Sequence, residues 1–193
     1  RIAIAHPNAL ITVAVLGLLV LVEAALTRAW GWRRRRPRHA VLLVTGTVVG
    51  LAMVGAGYAL LTQRMASMRE SNPLGGEISV RTAFDQAVLH SPRGAPPLHV
   101  LGAVVVVGAA VLLWRTAAGR SARWVVAALV LTGALWVMVV GVDNETTRWF
   151  TWPWYNNPPR LAALMVVPAV VCAAVALALP ARLVHWWSGR RRA

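Results

Sequence analysis

Lysine is absent from this sequence, and acids are scarce: six against 20 arginines in 193 residues. There is one cysteine, Cys172, so an internal disulfide is excluded, and its place in the middle of an apolar run reads as a small core residue. The five histidines, His6, His39, His90, His99 and His185, have no ligand spacing among them. With no cysteine cluster to join them, no histidine metal centre is expected. No P-loop, dinucleotide fingerprint or serine elbow is present. A net charge of +14 raises the question of nucleic acid. The arginines answer it, because they sit at the ends of apolar runs. Codon usage is the simplest account of all-arginine basicity in a chain rich in Ala, Val and Gly. It suggests a GC-rich genome, for instance that of an actinobacterium.

What the sequence has in abundance is apolar surface: 58% of the residues are hydrophobic and mean hydropathy is +0.61. Five runs approach the roughly 20 residues that cross about 30 Å of hydrocarbon as a helix. They are Ala9–Leu26, Ala40–Leu61, Leu98–Trp114, Trp124–Val142 and Leu161–Leu179. None alternates like a barrel strand, and an unpaired backbone amide in lipid costs several kcal/mol, so helices are expected. The expected fold class is all-α: a polytopic membrane protein of five transmembrane helices in one domain, residues 1–193, plus one amphipathic interfacial helix. The chain opens at Arg1 without a basic leader or small-residue cleavage site. It reads as a fragment of a longer membrane protein.

Arginine placement sets an expected orientation. The first connection carries Arg28, Arg33, Arg34, Arg35, Arg36 and Arg38, the third Arg115, Arg120 and Arg123, and the tail Arg182, Arg190, Arg191 and Arg192, with no acid in any of them. The second and fourth connections mix arginines with Glu70, Glu77, Asp85, Asp143 and Glu145. By the positive-inside rule the N-terminus lies outside and the C-terminus in the cytoplasm. Trp30, Trp32, Trp114, Trp124, Trp186 and Trp187 mark the cytoplasmic boundary. Arg33–Arg36 reads as a topology anchor that also attracts anionic headgroups, at about 1 kcal/mol per arginine.

The second connection, residues 62–97, is the long outer loop. After the turn-rich Asn72–Gly76, Ser79 can cap a short helix. Val80, Ala83, Phe84, Ala87 and Val88 share one face, with Arg81 and Asp85 on the other. An amphipathic helix on the outer membrane surface is expected. Gly46 and Gly50 have the G-x-x-x-G spacing that permits close helix packing. Glu23, the single ionisable residue inside an expected span, reads either as an interfacial partner of Arg28 or as an ion-coupling acid. His6-Pro7-Asn8 reads as a capped helix start.

The fourth connection, Val142 to Arg160, concentrates the chemistry. It holds five aromatics and both acids of the last hundred residues. Asp143 and Glu145 are the candidate catalytic carboxylates, as general base or as holders of a divalent cation; no other cofactor is expected. Arg148 and Arg160 suit a phosphate. Trp149, Trp152, Trp154 and Tyr155 can stack on a sugar or an isoprenoid, and Asn156 and Asn157 can bond hydroxyls. A rigid, proline-braced interfacial loop is the plainer alternative. The Asn144-Glu145-Thr146 sequon carries no expectation of glycosylation.

The run Trp154-Tyr155-Asn156-Asn157-Pro158-Pro159-Arg160-Leu161-Ala162-Ala163-Leu164 resembles a motif of DUF6541, a family of large actinobacterial membrane proteins. There an aromatic-Tyr-Asn-Asp-x-x-Arg run precedes an apolar helix rich in Ala and Leu. The order of elements, a long outer loop, a helical hairpin, then the motif and a last span, is also similar. Asn157 departs from the acid often found at that place. These proteins in turn resemble GT-C glycosyltransferases, which take sugars from polyprenyl-phosphate donors at the outer face. That resemblance implies a membrane part of such an enzyme in cell-envelope assembly, with lipid and a polyprenyl-phosphate-linked sugar as partners. In GT-C enzymes the catalytic acid usually lies in the first outer loop, after the first helix, a region that the fragment reading would place outside this sequence. The rival expectations are a transporter or lipid flippase with Glu23 on its path, and a non-catalytic membrane scaffold.

Overall fold

The first hairpin, two long helices joined by a four-residue turn, sets the frame for everything else. The computed structural model describes residues 7–64, 76–92, 96–117 and 122–190. The expected turn at 72–75, the stretch 93–95, His6 and the side chains from Arg182 onward, including Trp186 and Trp187, lie outside the described residues. So do the side chains of Arg115 and Arg120. The elements are α1 (Pro7–Trp32), α2 (Pro37–Arg64), α3 (Val80–Leu89), α4 (His99–Ala117), α5 (Arg123–Val137) continued by a π-helical turn (Met138–Val142), α6 (Glu145–Thr151), a 3-10 turn (Trp152–Trp154) and α7 (Pro158–Arg190). No strand occurs among the described residues. The chain is an all-α membrane protein.

Among the described residues four helices are long and apolar enough to cross a membrane: Ile11–Trp32, Pro37–Arg64, Arg123–Val142 and Pro158–Ala181. The expected third span is the shortest of the five runs. His99–Trp114 is apolar but shorter than the other four. Hydroxyls within the spans are satisfied locally: Thr47 Oγ1 donates to the Leu43 carbonyl (2.8 Å) and Thr132 Oγ1 to that of Ala128 (2.9 Å). Each uses the carbonyl one turn back, so neither hydroxyl meets lipid alone.

Helix α4 runs along α7, and α7 also packs on α5. The tightest approach is at Gly108, where a side chain would collide with the Cys172 backbone. Cys172 is fully buried there, among Val105, Leu112, Val125 and Ala169. The expected Gly46/Gly50 contact is not made among the described residues: a Cβ on either would meet nothing within 4 Å. Close packing is achieved by α4 instead, because its glycines face α7 and α3 while those of α2 face outward.

Ser79 caps α3 as expected, its hydroxyl accepting from the Thr82 N–H at 3.1 Å. His90, left-handed at φ 50°, ends the helix. The expected apolar face splits in two. Ala83 is buried and Ala87 half-buried against the bundle, whereas Val80, Phe84 and Val88 are exposed. The small side chains let α3 sit on α5 and its π turn, and Gly141 makes the room: a Cβ there would lie 3.0 Å from that of Ala83. The helix is therefore docked on the bundle by one stripe and presents the other outward.

Glu23 is buried, and its two oxygens accept the backbone N–H groups of Arg123 and Trp124, each at 2.8 Å. Its partners are these backbone groups and not the expected Arg28. Ala122, at the cap position of α5, offers no side-chain bond. Glu23 supplies the missing acceptors from a different helix, and its charge stands at the favourable end of the α5 dipole.

Candidate functional site

The segment from Asp143 to Arg160 is not an open loop but a ledge of three short pieces, α6, the 3-10 turn and the start of α7. Its first device is the π turn. Widening the helix from Met138 to Val142 sends the Asp143 N–H to the Met138 carbonyl (2.8 Å) and leaves the Val140 carbonyl to accept from Ile78 (3.1 Å). Such turns recur at functional sites, because the wider ring re-aims the backbone on its C-terminal side. Here the next residue, Asp143, takes φ 29°, and its carboxylate turns back toward α6.

Arg148 meets it there. Nε donates to Oδ1 and Nη2 to Oδ2, both at 2.9 Å, in a fork that matches the carboxylate. The pair is buried, with Arg148 3% and Asp143 9% exposed. Hydrogen bonding to Asp143 holds the guanidinium above its ordinary range. Asn144 caps α6, its side chain accepting from the Thr147 N–H while Thr147 Oγ1 accepts from the Asn144 N–H (both 2.9 Å). The sequon asparagine is thus a helix cap.

The aromatic residues divide by depth. Trp152 and Trp154 are buried, and their indole N–H groups donate to Thr62 (2.9 Å) and Thr12 (3.1 Å), on the two helices of the first hairpin. Thr62 in turn donates to the Tyr58 carbonyl (2.8 Å). The Tyr58 hydroxyl donates to the Trp149 carbonyl, and its ring stacks on Trp152 with centroids 6.0 Å apart. Trp152 and Trp154 therefore do not offer faces to a sugar in this arrangement; they pin the ledge. Of the candidate ligand-stacking rings, Trp149 and Tyr155 are the more accessible, both half-buried, and Phe150 between them is exposed.

Tyr155 and Asn156 are consecutive left-handed residues, φ 57° and 50°. A left-handed backbone costs a non-glycine residue roughly 1–2 kcal/mol, so neighbours must hold it. The Tyr155 N–H donates to the Trp152 carbonyl (2.7 Å), and Thr151 Oγ1 donates to Oδ1 of the buried Asn156 (2.6 Å). Asn157 Oδ1 accepts from the Arg160 N–H (3.4 Å) at the start of α7. The turn brings Arg160, exposed, over the Tyr155 ring with its guanidinium carbon 4.8 Å from the centroid. Glu145 is also exposed, in the first turn of α6.

The structure thus joins Asp143 to Arg148 and Tyr155 to Arg160. It sets Trp152, Trp154 and Asn156 inside as braces, and leaves Glu145 and Arg160 at the surface. Tyr58, Thr62 and Thr12 are essential to this geometry, and sequence reasoning misses them. A tyrosine and a threonine four apart at the end of an apolar run are the signal that could have found two of the three. A divalent cation does not suit Asp143, whose two oxygens both face a guanidinium. Among the described residues no group of three or more His, Cys, Asp or Glu side chains is placed to hold a metal.

A family model described as a family of unknown function, DUF6541, matches residues 1–193. No match was found among curated proteins or among solved structures.

Proposed function

The chain belongs to DUF6541, and we propose that it forms the transmembrane part of a GT-C-like glycosyltransferase that uses polyprenyl-phosphate-sugar donors in cell-envelope glycan assembly. The observation that carries this reading is the ledge itself. A short, strained turn is fastened to both helices of the first hairpin and presents a cation over an aromatic ring beside apolar helices. Strain held at such a turn is an outlier from which function is reasonably inferred. A fixed guanidinium suits a phosphate at the membrane surface, and an adjacent apolar wall suits the isoprenoid tail.

In this reading Arg160 takes the donor phosphate, with Tyr155 and Trp149 beside the sugar or the first isoprene unit. Glu145 is the accessible carboxylate. Asp143 and Arg148 hold the shape of α6, and a substrate role for either requires their pair to open. The arginine-rich end of the hairpin is cytoplasmic, which puts the ledge outside. The transporter reading loses its main support, because Glu23 is occupied as a helix cap. The scaffold reading draws on the buried braces and predicts that Arg160 is dispensable.

Arg160→Ala separates these readings. The variant is expected to insert and fold normally, while binding of a polyprenyl-phosphate-sugar donor weakens by at least about tenfold, the lower range for a charge-assisted contact. Titration of the purified protein with a fluorescent donor analogue is the measurement. Undiminished binding would remove Arg160 from the site.

A further inference from the structure

A second polar region lies at the opposite end of the first hairpin, about one membrane thickness from the ledge by helix length. Arg28, Gly31, Trp32, Arg35 and Arg36 line an open groove of about 540 Å³. Arg28, Gly31, Trp32 and Arg35 recur at i, i+3, i+4 and i+7, the spacing of one helical face. The turn continues that face past the end of α1, because the N–H groups of Arg35 and Arg36 both donate to the Trp32 carbonyl (3.1 and 2.7 Å). Gly31 leaves the floor open, since a Cβ there would meet nothing within 4 Å. Trp32 is steadied edge-on by His39, centroids 6.3 Å apart. Arg33 turns elsewhere, 3.7 Å over the Trp30 ring.

Among the described residues none of the three groove arginines meets a carboxylate. The nearest acid in sequence, Glu23, is committed to the α5 backbone. Three like charges converge, so the groove is complete only with an anion. The surroundings identify the kind. Leu21 and Leu26 on α1 and Val41 and Leu42 on α2 are exposed, and only 6% of each helix's apolar window is buried within the chain. These walls suit acyl chains. Basic pockets between membrane helices are characteristic sites for acidic headgroups, and guanidinium forks match phosphate oxygens.

We propose that this groove binds the phosphate of an anionic membrane lipid, with its acyl chains along the open faces of α1 and α2. The site is independent of the sugar-transfer reading, since it shares no residue with the ledge.

The test uses the full chain in neutral detergent, with lipid retention followed by native mass spectrometry. Phosphatidylglycerol is expected to remain bound where phosphatidylcholine does not. The triple variant R28Q/R35Q/R36Q is expected to lower phosphatidylglycerol affinity roughly a hundredfold, about fivefold per arginine at an anionic surface. Removing the same charge outside the groove, in R33Q/R34Q/R38Q, is expected to lower it at least about tenfold less, because those arginines meet a single bound lipid only at longer, solvent-screened range. Equal losses in the two triples would reduce the effect to bulk charge and overturn the site. Equal retention of both lipids would overturn it too. So would displacement of phosphatidylglycerol by inorganic phosphate, which would indicate a free-anion site. If the glutamine triple fails to insert, R28K/R35K/R36K keeps the charge and loses the forks. A drop of about tenfold there upholds the site, and full retention overturns it.

Discussion

The two ends of the α1–α2 hairpin are built on opposite plans. At one end Thr12, Tyr58 and Thr62 reach residues 142, 91 and 90 positions away, and each contact is a hydrogen bond to the ledge. At the other end Arg35 and Arg36 turn back on Trp32, and the arginines from Arg28 to Arg36 stay exposed. Apolar surface gives little preference between helix partners in lipid, because the tails are as apolar as the side chains. Directional bonds near the helix ends can supply that preference. The difference teaches that side-chain hydroxyls at one end are spent on assembly, whereas at the other Glu23 reaches another helix and the arginines are left open for something outside the chain.

Three perturbations would break or sharpen this contrast. The largest effect is expected at the buried pair. Asp143→Ala or Arg148→Ala leaves an uncompensated buried charge and should cost about 3–5 kcal/mol, read as a fall in thermal stability in detergent. D143A/R148A should recover part of that loss. Neutralising Arg33 at the open end should stay within about 0.5 kcal/mol. If the single and double variants at the pair are all neutral, this ion pair does not hold the ledge.

Next comes packing. Gly108→Ala puts a methyl into the Cys172 backbone and forces α4 from α7, at an expected cost of about 1–3 kcal/mol. Gly50→Ala on α2 should be near neutral, by the same thermal measurement. A reversed order would mean that α2 packs closely against a partner and α4 does not.

The smallest effect compares two threonines on one helix. Thr62→Val removes the acceptor of the Trp152 indole and should cost about 1 kcal/mol, with a shift in tryptophan emission. Thr47→Val, which breaks only a bond within α2, should leave both readings nearly unchanged.

The helices are legible in the sequence because their signal is local: runs of apolar residues, Ser79 before α3, a small cysteine in mid-run. The right loop is legible too, since acids and aromatics concentrate there. What those side chains touch is not. Asp143 and Arg148 are five apart, a spacing that one helical face does not bring together. The pair forms because a π turn ends at a residue with positive φ, and neither feature has a pattern in the residues. Glu23 looks like an ion-pair partner of Arg28 because Arg28 is near in sequence. Its actual partners lie 100 and 101 positions on and are backbone groups, which carry no residue signature. The G-x-x-x-G spacing misleads for the opposite reason: it is visible in one helix, whereas close packing depends on which way that helix faces.

Glu23 has a consequence for how the protein is made. Its carboxylate and the Thr12 hydroxyl bond to residues that leave the ribosome only after about a hundred or more others have been added. During that interval α1 and α2 are already in the bilayer with an acid whose acceptor role is unmet. A nascent chain stopped before Arg123 would have to keep Glu23 up at the headgroups, where water supplies the missing donors. The first hairpin therefore reaches its final depth only when α5 arrives.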